Sequence, residues 1–153
     1  MDDPSNVELT QIVTENIEDG NVGDQFSALS LKGIRVLKAH KGFILCDFIV
    51  HNALSDENGN WHVGAIATLV DSIGSIVSFT FTLSFNVTID FSISYYSTAK
   101  EKVEVEAKVI GKKDQLSSVI VQVRKKENRE LVAIGKIWFS STIRDAQHQP
   151  SKL

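Results

Sequence analysis

Residues 62–80 are apolar on nearly every side of a helix, and this feature limits the folds that the chain can adopt. The large aliphatic residues that cover the circumference are Ile66, Leu69, Val70, Ile73, Ile76 and Val77. A helix that lacks a polar face has to be covered by other elements. Asp71 and several hydroxyl residues within the segment argue against a membrane span. We therefore predict one buried helix at the centre of a single domain.

The segments on both sides of this helix have the composition and the periodicity of β-strands. Before it, residues 34–39 and 43–50 are rich in β-branched and aromatic side chains. After it, apolar and polar residues alternate strictly from residue 84 to residue 95. Further strands are predicted within residues 103–109, 119–123 and 131–142. The predicted order is thus two strands, one helix and four strands.

Short turns connect the predicted strands. Lys41-Gly42 separates the first two, and Gly111-Lys112-Lys113-Asp114 and Glu127-Asn128-Arg129 are predicted hairpin turns. Such turns join antiparallel neighbours. An α+β fold in which one antiparallel sheet wraps around the long central helix uses all of these elements. The pattern also permits an antiparallel α+β sandwich of another topology.

The composition narrows the possible partners and cofactors. The chain has 153 residues, 42% of them hydrophobic, and a net charge of −3, which is typical of one soluble globular domain without a nucleic-acid partner. Cys46 is the only cysteine, which excludes an internal disulfide and a four-cysteine zinc site. His40, His51 and His148 have no partner at metal-ligand spacing. We therefore expect no metal and no other cofactor.

The sequence ends in Ser151-Lys152-Leu153, the tripeptide that the peroxisomal import receptor binds. The residues before it are polar, which agrees with an exposed end. We expect import into peroxisomes by that receptor, and substrates from acyl-CoA metabolism. The predicted division is an N-terminal helical extension at residues 1–30, a main domain at 31–143 and a flexible tail at 144–153.

Two stretches of the main domain carry a family resemblance. Asn52-Ala53-Leu54 precedes Trp61-His62-Val63-Gly64, and Asp71 follows nine residues after the histidine. The strand Val87-Thr88-Ile89-Asp90-Phe91 then leads to Ser97-Thr98-Ala99. These motifs resemble those of hotdog acyl-CoA thioesterases of the phenylacetate-pathway (PaaI-like) or thioesterase superfamily member two type, and the similarity spans residues 30–142. The family carries His-Gly-Gly where this chain has His62-Val63-Gly64, and a serine where it has Thr88.

The resemblance implies a hotdog fold and an enzyme that hydrolyses a fatty or aryl acyl-CoA to the free acid and CoA. Asp71 is the main catalytic candidate, because a carboxylate in an apolar helix is costly to bury unless it is paired or useful. In the family such a carboxylate acts as a general base towards water or as a nucleophile towards the thioester, and both roles stay open here. The structural alternative is an aspartate that caps a turn or faces solvent at a subunit boundary.

The start of the central helix is the predicted oxyanion hole. The N–H groups of Val63 and Gly64 lie in the first turn, where backbone donors have no intrahelical partner and the helix dipole favours an anion. The alternative is an ordinary helix start with Asn60 or His62 near the cap. We expect His62 to be a structural residue beside the substrate and not a general base.

Four further residues complete the predicted site. Asn52 would orient the carbonyl group or the water, as the matching family residue does, or it forms an ordinary turn. Thr88 would position water through its hydroxyl, or it is an ordinary strand residue. Lys112 and Lys113, in a predicted turn, are candidates for binding the phosphates of CoA.

The resemblance also implies that two protomers pair side by side, as a homodimer or homotetramer, and that each site draws residues from both. Pairing would cover the edge strand at residues 85–95. Two other functions stay open, a non-catalytic acyl-CoA binding protein and a hotdog hydratase that acts on enoyl-CoA. Such hydratases use an Asp and His pair set five residues apart, which we do not find in the sequence.

Overall fold

The computed structural model describes residues 4–20 and 24–141. This part of the chain contains, in order, α1 (Pro4–Glu18), α2 (Gln25–Leu31), β1 (Arg35–His40), β2 (Phe43–Ile49), α3 (Val63–Thr82), β3 (Asn86–Tyr95), β4 (Lys102–Lys113), β5 (Leu116–Lys125) and β6 (Leu131–Ser141). A short 3₁₀ helix, Asn52–Leu54, lies between β2 and α3. The predicted order of two strands, one long helix and four strands is confirmed.

All six strands form one antiparallel sheet in the order β1-β2-β4-β5-β6-β3. Strand β3, which follows α3, pairs with β6 at one edge of the sheet, and β1 forms the other edge. An edge strand leaves backbone donors and acceptors unpaired. Strand β3 also exposes the apolar side chains of Val87 and Ile89.

Helix α3 packs across one face of the sheet and forms the core with it. Its fully buried side chains are Leu69, Val70, Ile73 and Val77. The sheet residues in the same core include Val105, Val121, Ile137 and Phe139. A Cβ atom on Gly135 would collide with Cγ1 of Val70, and one on Gly74 would stand 2.7 Å from Cδ1 of Ile137. The two glycines therefore permit the close approach of helix and sheet.

By length and composition, with a mean hydropathy of 1.6, helix α3 could cross a membrane. In this structure it packs on the sheet as a core helix. Only 50% of that apolar window is buried. The expectation that the helix is covered on nearly every side is thus wrong for the single chain. Because the sheet covers one side, Thr68, Asp71, Ser72 and Ser75 on the other side stay partly exposed.

A β-bulge in β3 decides which of its residues face α3. Pairing with β6 skips Ile89 and resumes with Thr88 opposite the buried Phe139. Strict alternation would place Thr88 on the face opposite to Phe91. The extra residue of the bulge reverses that assignment, so Thr88 points towards α3.

The turn between β4 and β5 lies further along the chain than predicted. Strand β4 includes Lys112 and Lys113, and a two-residue turn begins at Asp114. Asp114 adopts a left-handed φ of 53°, which aspartate tolerates. Gly111 lies beside a bulge at Ile110 and does not form the turn. The prediction of a Gly111-Lys112-Lys113-Asp114 turn is therefore wrong, and both lysines are strand residues.

Two helices precede the sheet. Helix α1 packs on β1 with Val13 and Ile17 buried, and the Glu18 carboxylate accepts a 3.0 Å hydrogen bond from the Val36 N–H. Helix α2, capped by Asp24, packs on α3. Both helices lie in the region where the sequence pattern predicts a helical extension.

The predicted boundaries at residues 30 and 143 stay predictions. The last described residue, Ser141, ends strand β6. The predicted targeting tripeptide, Ser151-Lys152-Leu153, lies outside the described residues.

Candidate active site

The Asp71 carboxylate and the Thr88 hydroxyl form a hydrogen-bonded pair between α3 and β3. Thr88 Oγ1 donates to Asp71 Oδ1 over 2.8 Å. One helical turn further, Ser75 Oγ donates to Asn86 Oδ1, also over 2.8 Å. The two links hold the carboxylate in place against β3. Asp71 is half-buried, and its Oδ2 accepts no hydrogen bond from the described residues, so this oxygen is available to water or to a ligand.

His62 is the N-cap of α3. Its backbone is extended, with φ −63° and ψ 132°, and its Nδ1 accepts a 2.9 Å hydrogen bond from the Gly64 N–H. This cap occupies one of the two donors predicted for an oxyanion. The Val63 N–H makes no hydrogen bond within the described part of the chain. Of the two predicted donors, the Val63 N–H can therefore bind an anion without displacing the His62 cap.

The loop before α3 folds against the start of the helix. Ser55 and Trp61 form an isolated β-bridge, and the His62 N–H donates to the Leu54 carbonyl over 2.8 Å. Asn52 begins the 3₁₀ helix that ends at Leu54. Its side chain is exposed and makes no hydrogen bond to a described residue. Asn52 is thus close to the start of α3 along the chain, and no hydrogen bond to a described residue fixes its side-chain amide.

An apolar cavity of about 260 Å³ opens beside the start of α3, lined by Trp61, Val63, Ile66 and residues 95–98. Tyr95 joins the cavity to the helix, because its hydroxyl donates to the Val63 carbonyl over 2.9 Å. Burial raises the pKa of the Tyr95 phenol above its ordinary value. Tyr95 was not among the predicted site residues. Its place at the end of the alternating strand, in phase with Phe91, is the signal that it faces the helix.

The predicted residues form two groups and not one. Asp71 and Thr88 make the first group, while His62, Val63 and Gly64 make the second. Asp71 lies eight positions after Val63, which places the groups roughly 12 Å apart along α3. A single chain therefore does not bring the carboxylate to the helix start.

Lys112 and Lys113 belong to neither group. The Trp61 N–H donates to the Ala99 carbonyl over 2.8 Å, so the start of α3 lies near the beginning of β4. Both lysines stand at the other end of β4, and both are exposed.

Comparison with known proteins identifies the fold. The sequence profile of the thioesterase superfamily matches residues 58–132, from the loop before α3 into β6. The solved structure of zebrafish thioesterase superfamily member 2 matches with a TM-score of 0.80 and 25% sequence identity, over 87% of this chain and 98% of the zebrafish chain. The chain has the hotdog fold of the thioesterase superfamily.

Two further comparisons agree with the hotdog fold. Human acyl-coenzyme A thioesterase 13 is 28% identical over 131 residues, which cover 84% of this chain and 93% of the human protein. A hypothetical thioesterase from Streptococcus pneumoniae, solved with coenzyme A, matches with a TM-score of 0.68 at 20% identity, over 72% of this chain and 86% of that chain. The hotdog prediction is confirmed, and another sandwich topology is excluded.

Proposed function

We propose that this hotdog protein is an acyl-CoA thioesterase that hydrolyses a fatty or aryl acyl-CoA to the free acid and CoA. The observation that carries the proposal is the Asp71 carboxylate, held by the Thr88 hydroxyl with one oxygen unpartnered among the described residues. A carboxylate held in this way on an apolar helix is suited to act as a base or a nucleophile. The similarity to human acyl-coenzyme A thioesterase 13 supports the reaction class.

Hydrolysis needs an attacking oxygen and an oxyanion donor at the thioester carbonyl. As a general base, Asp71 takes a proton from water while the water oxygen bonds to the carbonyl carbon. As a nucleophile, it forms that bond itself, the carbon–sulfur bond breaks with release of the CoA thiolate, and water then cleaves the acyl-enzyme anhydride to the free acid and the Asp71 carboxylate. The Val63 N–H, at the positive end of α3, stabilises the oxyanion in either case. In the general-base route, the carbon–sulfur bond breaks as the tetrahedral intermediate collapses, and the CoA thiolate takes up the proton that Asp71 removed from water. The chain and water supply every group, without a metal or cofactor.

The proposed site needs two copies of the chain. Asp71 and Val63 lie roughly 12 Å apart on one helix, too far to contact the same carbonyl group. Antiparallel pairing of two α3 helices would bring Asp71 of one copy to Val63 of the other. Strand β3 supports such pairing, because its free edge exposes Val87 and Ile89.

The other predicted residues have supporting roles in this proposal. Thr88 orients the carboxylate and the attacking water, and Asn52 orients the substrate carbonyl from the 3₁₀ helix. His62 contacts the substrate as the cap of α3. Lys112 and Lys113 stay predicted ligands of the CoA phosphates.

The test is thiol release from short-chain, medium-chain, long-chain and aryl acyl-CoA esters by the wild type and by Asp71→Asn. We expect release by the wild type, and a fall of at least about 100-fold in kcat for the variant. Asp90→Asn is the matched control, because Asp90 is an exposed carboxylate of the same strand as Thr88 but on its opposite face. It should leave kcat unchanged.

The alternative is a hotdog protein that binds acyl-CoA without cleaving it. The occupied Gly64 N–H favours this alternative, since the cap removes one of two oxyanion donors. Binding of every ester with no thiol release by the wild type would establish it and reject the thioesterase.

Peroxisomal import is a separate proposal that rests on Ser151-Lys152-Leu153. A fluorescent protein fused before residue 1 should accumulate in peroxisomes and return to the cytosol when these three residues are removed. A diffuse signal from the intact fusion would reject the proposal.

A further inference from the structure

The peptide group between Val63 and Gly64 is held at both of its polar atoms. Its carbonyl oxygen accepts a 2.9 Å hydrogen bond from the Tyr95 hydroxyl, and its N–H donates over 2.9 Å to Nδ1 of His62. The first N–H groups of a helix have no partner within it, so the orientation of the first turn depends on contacts from outside the helix. Here one side chain of the sheet and one of the cap supply those contacts.

The peptide group that is held in this way comes directly after the Val63 N–H. Because peptide groups are planar, only the two backbone angles of Val63 can rotate the Val63 N–H relative to that group. The preceding peptide group is fixed through the His62 carbonyl, which accepts a 3.0 Å hydrogen bond from the Ile66 N–H. The direction of the Val63 N–H is therefore set by hydrogen bonds on both sides of it.

Tyr95 can fix the start of α3 because its own backbone is part of the sheet. It is the last residue of β3 and pairs with Ala133 of β6. The next N–H along the chain donates to the Val132 carbonyl over 2.8 Å, and Ser97 Oγ donates to the Leu131 carbonyl over 2.8 Å. The Tyr95 hydroxyl thus connects the first turn of α3 to the edge of the sheet.

The neighbouring tyrosine makes no such contact. Tyr96 lines the same apolar cavity as Tyr95 and is 60% exposed. Its hydroxyl forms no hydrogen bond with a residue that the structure describes. The two tyrosines share the cavity and differ in the bond to the helix, so Tyr96 is a matched control for Tyr95.

We propose that Tyr95 is a positioning residue, whose hydroxyl holds the first turn of α3 so that the Val63 N–H points at the oxyanion of the thioester. This role rests on the proposed function. Burial raises the pKa of the Tyr95 phenol, so the hydroxyl keeps its proton at neutral pH and stays a donor. An oxyanion donor has to be in place before the charge develops. Because the oxyanion forms only in the transition state, loss of this positioning lowers kcat and leaves KM unchanged.

The first experiment compares kcat and KM of the wild type, Tyr95→Phe and Tyr96→Phe with the acyl-CoA ester that the wild type hydrolyses fastest. Phenylalanine keeps the ring in the cavity wall and removes only the hydroxyl. We expect Tyr95→Phe to lower kcat by about 3- to 10-fold at constant KM, the effect of one neutral hydrogen bond, and Tyr96→Phe to match the wild type. A rise in KM without a change in kcat would mean a substrate contact and overturn the positioning role.

A double variant tests whether Tyr95 acts through Val63. Val63→Pro removes the N–H that Tyr95 positions, so Tyr95→Phe should lower the residual kcat of Val63→Pro no further. The same fold-loss in the presence and in the absence of the Val63 N–H would show that Tyr95 acts by another route.

A measurement without substrate separates this proposal from the proposed function. Amide hydrogen exchange at Gly64, followed by NMR, reports how firmly the first turn is held. We expect exchange about 3- to 10-fold faster in Tyr95→Phe than in the wild type, and unchanged in Tyr96→Phe. Faster exchange in a protein that hydrolyses no thioester rejects the enzyme and supports the hold of Tyr95 on the helix. Hydrolysis by the wild type with equal exchange and equal kcat in Tyr95→Phe keeps the enzyme and overturns the role of Tyr95.

Discussion

The N–H groups of the first two residues of α3 differ in their hydrogen bonding, and the difference predicts different contributions to the proposed catalysis. Gly64 donates to the His62 ring, whereas Val63 has no partner within the described chain. The family motif has glycine at the position of Val63, but the side chain does not take part in donating the N–H. An oxyanion can therefore use Val63 as it would use glycine, provided that the thioester can pass the valine methyl groups.

We expect Val63→Pro to lose most of the proposed thioesterase activity while α3 stays folded. Proline removes the N–H and is favoured at the first position of a helix. His62, with φ −63° and ψ 132°, has the backbone that the residue before a proline prefers. Loss of one oxyanion donor typically lowers kcat by about 100- to 1000-fold.

Val63→Ala is the control for this change, because it keeps the N–H and shortens the side chain. Its kcat should stay close to that of the wild type, and circular dichroism should show the same helix content for both variants. Equal kcat values for the proline and the alanine variants would remove Val63 from the mechanism.

Thr88 shows the limit of sequence patterns at the scale of one residue. The spacing of Asp71 after His62 marks the aspartate, because a charge in an apolar helix is visible in the sequence alone. The alternation of β3 places Thr88 on the wrong face, since the bulge at Ile89 depends on pairing with β6. Tyr95 was missed for a related reason, as its bond to Val63 joins residues that are 32 positions apart.

The contact between α3 and the sheet is close enough that a single methyl group should disturb it. We expect Gly135→Ala to lower the free energy of unfolding by about 1–3 kcal/mol, because the new Cβ would collide with Val70. Urea unfolding measures the change. Gly111→Ala is the control, because its Cβ would have no neighbour within 4 Å, and it should change stability by less than about 0.5 kcal/mol.

Helices and strands were predictable where the sequence pattern lies within one segment. Helix α3 and the strands follow from periodicity within each segment, and His62 marks the start of the helix. The turn after β4 was misplaced because Gly111 serves a bulge, which only the register with β5 reveals. The cleft between residues 98–102 and residues 125–127 was not predicted, because its walls meet only after β4 and β5 pair. Contacts that depend on how the strands pair cannot be predicted from the sequence of one segment.

An ion-pair network around the buried Asp47 connects β1, β2, β4 and the turn before β6, and so acts on the whole molecule. Its members are Arg35, Asp47, Lys102, Glu104, Lys126 and Arg129. The pKa of Asp47 in the folded protein is below its ordinary value of 3.8. A carboxylate with a lowered folded pKa stabilises the protein above its unfolded pKa and loses that contribution as the pH falls through its folded pKa. The network should therefore stabilise the fold at neutral pH and stop doing so in acid.

We expect Asp47→Asn to lose about 1–2 kcal/mol of unfolding free energy at pH 7, as hydrogen bonds to a charged group are lost. The difference from the wild type should shrink as the pH falls below 3.8, where the wild-type carboxylate becomes protonated. Urea unfolding from pH 7 down to about pH 2 checks this. Asp114→Asn, an exposed turn residue, should follow the wild type at every pH. A constant difference across the range would contradict the role of the Asp47 charge.

The separation of Asp71 from Val63 along one helix has a genetic consequence. If each site takes one of these residues from each copy, a protein with Asp71→Asn and a protein with Val63→Pro are inactive alone but complement each other when co-expressed. In a mixed pair, one site carries both defects and the other carries neither. Random assortment makes half of the pairs mixed, so about a quarter of wild-type activity should return. A site built within one chain would return none.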